Sequence, residues 1–297
     1  VVRVVDVKAR PRARQAVWWQ HTGRRLSRVA VVYVLLISIS IVILAPLAWM
    51  LSTALKSLDQ IGVFPPQWIP DPIIWDNFYQ ALTFLPFDVY FRNTIEITLL
   101  SIIGQVISCS LVAYGFARLR ARGRDVLFLL VLATMMLPTQ VTMIPQYVLF
   151  AKLHWIDTFL PLIVPNWLGG AFFIFLLRQF IMSIPLEMDE AARIDGANYP
   201  SIFLRIILPL IKPALATVAI FTFTGTWNDF LYPLIYLNSD QNLTVAIALS
   251  KFTGMYGSTA WNLLMAASLV AIVPCLALFF VAQRYFIQGI VVSGVKG

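Results

Sequence analysis

Long apolar runs separated by short polar stretches are the dominant pattern of this chain. Runs able to cross a bilayer, which takes about 20 residues each, fall at Val29–Leu51, Asn93–Phe116, Val126–Phe150, Phe159–Ile181, Ile207–Thr226 extended toward Leu237, and Leu263–Phe286. They predict an all-α integral membrane protein with six transmembrane helices. Pro138 and Pro145 interrupt the third run, and Pro209 and Pro213 the fifth. Those two are expected to be the least regular, with neighbouring helices and hydroxyls satisfying the backbone groups that the prolines free.

Composition agrees with the pattern: 60% of residues are hydrophobic, 12% are charged, and the mean hydropathy is +0.81. The net charge of +8 raises nucleic-acid binding as a possibility, which the positions of the charges exclude. Of 22 Lys and Arg, eight precede residue 29, and Arg118, Arg120, Arg122 and Arg124 form "RLRARGR". Arg193, Arg205, Arg284 and Lys296 fall in segments on the same side of the predicted membrane, whereas Lys56, Lys152 and Lys251 fall on the other, with Arg92, Arg178 and Lys212 at helix ends. Basic residues mark the cytoplasmic face, so both termini and the loop 183–206 are expected inside. "RLRARGR" reads as a topology anchor on lipid phosphates. The basic stretch 1–28 and the apolar core after it are too long for a typical cleaved signal, so a retained first helix is expected. The chain divides into a basic cytoplasmic segment 1–28, a membrane domain 29–286 and a cytoplasmic tail 287–297. Cys109 and Cys275 lie in apolar runs without a CxxC partner and read as small buried hydrophobes.

The loops differ in kind. Between the first two runs, four aspartates (Asp59, Asp71, Asp76, Asp88) stand against one lysine among many prolines and aromatics, as expected of an external loop with Trp68 and Trp75 at the aromatic belt. Between the fifth and sixth, "NSDQNLTVAIALSKFTGMYGSTAWN" is polar and long enough to reach outward to a partner.

The most polar stretch of the second half is "EMDEAARIDGANYPSIFLRIILP", Glu187 to Pro209. Pro185 suits a first helical position, and Glu187, Asp189 and Glu190 lie where a helix dipole favours anions. Asp189 and Arg193 have the spacing and order of a modest i,i+4 pair. Leu186, Glu190 and Ile194 share a stripe, Ala191 and Ala192 leave the backbone approachable, and Gly196 can end the helix in the left-handed region. Asn198 can cap the next helix, which Pro200 opens. The stretch therefore predicts a helix, a tight turn and a second helix. A solvated connector is the plain reading of it. A divalent-metal site from Glu187, Glu190 and Asp195 lacks a DDxxD-like cluster, a His partner and a basic clamp. A docking knob, with Glu190 meeting a basic residue on another protein, is the third reading.

Glu190-Ala191-Ala192, three residues, Gly196, then Ile207-Leu208-Pro209 resembles the EAA loop of permease subunits of binding-protein-dependent ABC importers. "DEAARIDGA" resembles the carbohydrate-uptake branch, which includes maltose and glycerol-3-phosphate permeases. "WNDFLYPL" at Trp227–Leu234 and the closing "QRYFIQGIVVSGVKG" extend the likeness over nearly all of the chain. The resemblance implies that Glu187, Glu190, Ala191, Ala192, Arg193, Asp195 and Gly196 form an ATPase-coupling helix between the fourth and fifth spans. It implies a second, different permease as partner, two ATPase subunits that bind ATP and Mg, and an external solute-binding protein. The tail "VVSGVKG" would reach toward the ATPases, and much of the sugar would sit on the partner permease.

This chain itself carries no GxxxxGK[ST] loop, so ATP hydrolysis has to occur elsewhere. A sugar path needs inward polar groups, because unpartnered hydroxyls are costly to desolvate. The candidates are Gln105, Gln140, Asn166, Asn228 and Asp229, with Gln140 and Asn228 best placed beside helix-interrupting residues. Buried amides also serve as interhelical glue. Arg92 and Glu96 read as a local pair. The rival function, a stand-alone ion-coupled carrier, would need paired intramembrane charges, which are nearly absent.

Overall fold

The structure, a computed structural model, describes the backbone of residues 11–253 and 259–294 and the side chains of residues 29–253 and 259–283. It is helical throughout the described elements. A long first helix, α1 (Pro11–Ala54), is followed by α2 (Leu58–Ile61), α3 (Asp76–Phe84) and the central α4 (Phe87–Arg118). Then come α5 (Arg124–Thr134), α6 (Thr139–Lys152), α7 (Leu160–Trp167), α8 (Ala171–Met182) and α9 (Glu187–Ile194). The chain continues through α10 (Tyr199–Ile202), a π-helical segment Phe203–Ile207, α11 (Leu208–Leu210), α12 (Lys212–Trp227) and α13 (Leu231–Tyr236). A 3-10 turn Asp240–Asn242, α14 (Val245–Ser250) and α15 (Trp261–Gly294) complete it.

Among the described residues four helical stretches are long and apolar enough to cross a membrane: Val29–Ala54, α4, Leu160–Met182 and Trp261–Gln283. The count is six if two bent pairs each make one span: α5 with α6, bent by 97°, and Tyr199–Leu210 with α12, bent by 75°. These are the two runs expected to be least regular. Pro138 stands in extended backbone as the N-cap of α6, and its ring disfavours helix in the residue before it. In the second pair a proline ring at 209 would crowd the carbonyl four residues back, at Arg205. The backbone there widens into the π segment, with Leu208 N–H donating to the Phe203 carbonyl five residues back.

Helix α4 organises the bundle, packing against α7, α8 and α12. Thr94, Thr98, Ser101 and Gln105 are buried along one face, spaced four, three and four apart as a helical stripe requires. Gly104 lets α7 come close: a Cβ there would lie 2.2 Å from Trp167, whose indole N–H donates to the Leu100 carbonyl at 3.0 Å. Gln105, in the orientation that satisfies both ends of its amide, donates to Asn166 Oδ1 (3.2 Å) and O (3.0 Å) and accepts from Gly170 N–H (2.9 Å). Small residues and amides thus hold the helices together where lipid supplies no hydrophobic drive. Two apolar clusters lie along α4. One gathers Phe87, Tyr90 and Ile97 with Tyr236 and Phe252, and the other Cys109, Ala113 and Tyr114 with Leu177, Ile202 and Ile207.

Helix α1 begins at Pro11 and α15 runs to Gly294, so both helices extend past the apolar runs they contain. The tail's contact with ATPases falls outside the described residues. Lys56 is 1% exposed: its ammonium lies 4.2 Å from the Trp49 ring centroid and donates to the Gln67 carbonyl, and burial lowers its pKa. Ion pairs among the described residues are Arg118–Asp189, Arg124–Asp125 and Lys251–Asp240. Arg92 and Glu96, both exposed, are not among them.

Candidate functional site

Helix α9 forms two residues later than Pro185 suggests, with Leu186 as N-cap; the preceding residues make a tighter turn in which Asp189 N–H donates to the Leu186 carbonyl at 3.0 Å. Gly196 ends it at φ +86°, a conformation that costs an L side chain about 1–2 kcal/mol. Asn198 Oδ1 then accepts from Ser201 N–H at 3.0 Å, which starts α10. The helix is sided. Asp189 is buried and Ala192 half-buried, whereas Leu186, Glu187, Met188, Glu190, Ala191 and Ile194 are exposed, Ile194 by 87%. An acidic and apolar face therefore points away from the bundle.

What holds that face in place is a buried ion pair. Arg118 Nε lies 2.8 Å from Asp189 Oδ2, and the two side chains are 3% and 2% exposed. A terminal nitrogen of the same guanidinium donates to the Ile184 carbonyl at 2.8 Å. One turn earlier on α4, the Tyr114 hydroxyl donates to the Tyr199 carbonyl at 3.3 Å. The last turns of α4 thus hold the chain on both sides of α9. Arg118 was expected on lipid phosphates and Asp189 opposite Arg193. Instead Arg193 is exposed, its guanidinium 4.9 Å from the Tyr199 ring centroid. Asp189 pairs with Arg118, whose planar guanidinium also bonds the Ile184 carbonyl. Arg178 belongs to this end too, over Phe128 at 4.1 Å and donating to the Phe116 carbonyl, rather than to the opposite side.

Toward the other end of α4, about 36 Å along at about 1.5 Å per residue, the bundle leaves a cavity of about 560 Å³. Its walls include Thr94 and Ile97 of α4, Asn166 of α7, Thr222 and Thr226 of α12, and Tyr236 of α13. Phe173, Phe221 and Tyr232 add ring surface, and Gln146, Asp229 and Thr244 add polar groups. Just outside lies a knot around Asp157, at φ 62°. Its carboxylate accepts Asn238 and Ser239 N–H, both at 2.9 Å, and the Ser239 hydroxyl. Asn242 donates to its carbonyl at 2.8 Å. The Ser239 hydroxyl and amide bonds hold the Asp157 pKa down at about 2.

Residues 107–292 match the family described as binding-protein-dependent transport system inner membrane component. The chain belongs to this family. It is accordingly a transport permease of the cell membrane, not an enzyme, and its helical bundle is a permease fold. Among its relatives is the arabinooligosaccharides transport system permease protein AraQ of Halalkalibacterium halodurans, 36% identical over 77% of this chain and 81% of that protein. Another is the sn-glycerol-3-phosphate transport system permease protein UgpE of Yersinia enterocolitica, 34% identical over 80% of this chain and 87% of the relative. In fold it resembles a chain of a bacterial ABC transporter involved in the import of the acidic polysaccharide alginate. That likeness has a TM-score of 0.79 and 24% identity, and it covers 89% of this chain and 98% of the other.

Within this permease the predicted residues separate. Glu187, Glu190, Ala191, Ala192, Arg193, Asp195 and Gly196 lie together on or just after α9. Asn166 and Asp229 meet at the cavity, whereas Gln140 and Asn228 do not line it. Both of the latter are exposed, and Asn228 donates back to the Thr224 carbonyl at 2.8 Å. Asn166 spends its amide on Ser101 Oγ (3.2 Å) and the Leu162 carbonyl (2.9 Å), as does Gln105 on Asn166 and Gly170, so both act as interhelical glue. Sequence reasoning missed Asp189 with Arg118, and Asp157. The signal for the first was an acid on the α9 face opposite Leu186, Glu190 and Ile194; for the second there was none, since its partners lie over 80 residues on.

Proposed function

We propose that this permease moves a sugar or related polyol inward across the cytoplasmic membrane as one subunit of an ABC importer. It pairs with a second, different permease, receives substrate from an external solute-binding protein, and sits on two ATPase subunits that bind ATP and Mg. Relatives named for arabinooligosaccharides and for glycerol 3-phosphate support the substrate class. The chain crosses the membrane six times, with both termini inside and the loop 183–206 between the fourth and fifth spans. Segment 1–28 is the basic cytoplasmic lead and 287–297 the tail. The observation that carries this reading is α9: Glu190, Ala191 and Ile194 exposed on one side, Asp189 locked to Arg118 on the other. A knob exposed on one face and pinned on the other transmits force as a rigid body. ATP-driven closure of the ATPases then tilts the spans joined to α9, which is alternating access by rigid-body motion.

The test is charge reversal at Glu190 (Glu190→Lys) and bulk at Ala191 (Ala191→Trp) in the assembled importer. Uptake is expected to fall at least tenfold while the ATPase subunits still hydrolyse ATP. Full retention of transport by both variants rules out the docking role.

A further inference from the structure

The four arginines of "RLRARGR" are equivalent in sequence, and the fold divides them. Arg118 turns inward and is spent on Asp189 and the Ile184 carbonyl. Gly123, at φ +81°, then makes the turn that starts α5. That turn gathers Arg120, Arg122 and Arg124 around a concavity of about 460 Å³, lined also by Ala121 and Asp125. Arg124 is partly committed: its guanidinium lies 2.9 Å from Asp125 Oδ1 and donates to the Leu119 carbonyl at 3.3 Å. Arg120 and Arg122 are exposed, and neither joins an ion pair among the described residues. Three guanidiniums thus face one carboxylate, and two positive charges are left uncompensated. The N-terminus of α5 has no side-chain cap, so its dipole adds to the positive field. Beyond the charges the surface changes within one turn. Val126, Leu127, Leu129 and Leu130 of α5 are each more than half exposed, on a helix that makes a membrane-length apolar pair with α6.

We infer that Arg120, Arg122 and Arg124 form a headgroup site for one anionic phospholipid, whose phosphate pairs with the Arg120 and Arg122 guanidiniums and whose acyl chains cover the apolar face of α5. Both halves of the surface are needed to choose this occupant. A guanidinium bonds phosphate oxygens through parallel N–H groups, which a free phosphate would satisfy equally well. Only a lipid also covers the leucines that follow. A zwitterionic headgroup carries its own ammonium beside the phosphate and gains little from a site with surplus positive charge. An acidic segment of another protein would meet the charges and leave the leucines uncovered. The site follows from the geometry of one loop and does not depend on the importer reading. It bears on that reading through position: the loop begins directly after Arg118, so a bound lipid fixes to the bilayer the turn of α4 that grips α9.

The experiment uses the purified permease, with the subunits that accompany it, in nonionic detergent. It is titrated with phosphatidylglycerol, phosphatidylcholine or inorganic phosphate, and bound lipid is counted by native mass spectrometry. Wild type is expected to bind phosphatidylglycerol about tenfold more tightly than phosphatidylcholine, and Arg120→Gln with Arg122→Gln to raise the Kd for phosphatidylglycerol about tenfold, since each arginine near a membrane surface adds attraction for anionic lipid. Arg120→Lys with Arg122→Lys is expected to stay within about threefold of wild type, which separates lost charge from a disturbed loop. Arg92→Gln, an exposed arginine toward the opposite end of α4, is expected to change nothing. Equal affinity for the two lipids overturns the proposal, as does a Kd within about twofold of wild type in the double Gln variant. Displacement of phosphatidylglycerol by inorganic phosphate would mark a soluble-anion site instead. Protection of Arg120 and Arg122 from phenylglyoxal by an accompanying subunit, in lipid-free complex, would mark a protein occupant; either result overturns the lipid assignment.

Discussion

The two ends of α4 solve opposite problems with the same helix. At its C-terminal end a charged pair is buried and closed: Arg118 meets Asp189 at 2.8 Å and also bonds the Ile184 carbonyl. Toward its N-terminal end the helix is open: Thr94 and Ile97 line a cavity of about 560 Å³ around which no Lys or Arg stands among the described residues. The first arrangement suits an element that must not yield when pushed, because separating a buried pair strands both charges. The second suits an element that must exchange partners, because a hydrogen bond between neutral groups has only a modest net worth and is replaced at little cost. Mechanical stiffness and binding capacity are thus segregated along one helix, and the glycine at 104, beneath Trp167, lies between them.

The largest expected effect comes from the closed end. Arg118→Ala leaves the Asp189 carboxylate buried without its partner and should cost about 3–5 kcal/mol. Thermal unfolding of the purified complex would register it, and the double replacement Arg118→Met with Asp189→Leu should recover most of the loss. If Arg118→Ala melts within a degree of wild type, the two ends are not different in kind. The middle of the helix comes next. Gly104→Leu drives side-chain atoms into the Trp167 ring, and overpacking of this type costs about 1–3 kcal/mol; the same melts check it, with Gly115→Leu as a control, since nothing lies within 4 Å of a Cβ at 115. The smallest effect belongs to the loop knot beside the open end. Asp157 is held down at about 2 from an ordinary 3.8, so the knot's contribution is fully present above pH ~4 and is lost as pH falls from there through about 2. Hydrogen exchange at Asn238 and Ser239 should accelerate across that window in wild type and show no such step in Asp157→Asn.

Much of the arrangement was legible beforehand, for reasons the particulars explain. Helix α9, its glycine stop and the Asn198 cap follow from local chemistry within a few residues, so they could be read directly. Prolines at 138, 209 and 213 announced the two bent pairs because a missing N–H and a bulky ring act on their own neighbours. The pairing of Asp189 was misread for the converse reason: Arg193 is near in sequence, but Arg118, 71 residues earlier, is nearer in space. Gln140 and Asn228 were favoured by adjacency to helix breaks, yet both are exposed and off the cavity wall, while Asp229, one residue on from Asn228, lines it.

Hydropathy, charge placement and one acidic Ala-containing motif by themselves settled the solvent, the helical class and the family, because each is a property of short stretches. Only tertiary structure decided which polar groups were spent on holding helices together and which were left without partners. That division depends on what lies opposite each side chain once the chain has folded, and a linear pattern carries no record of opposition.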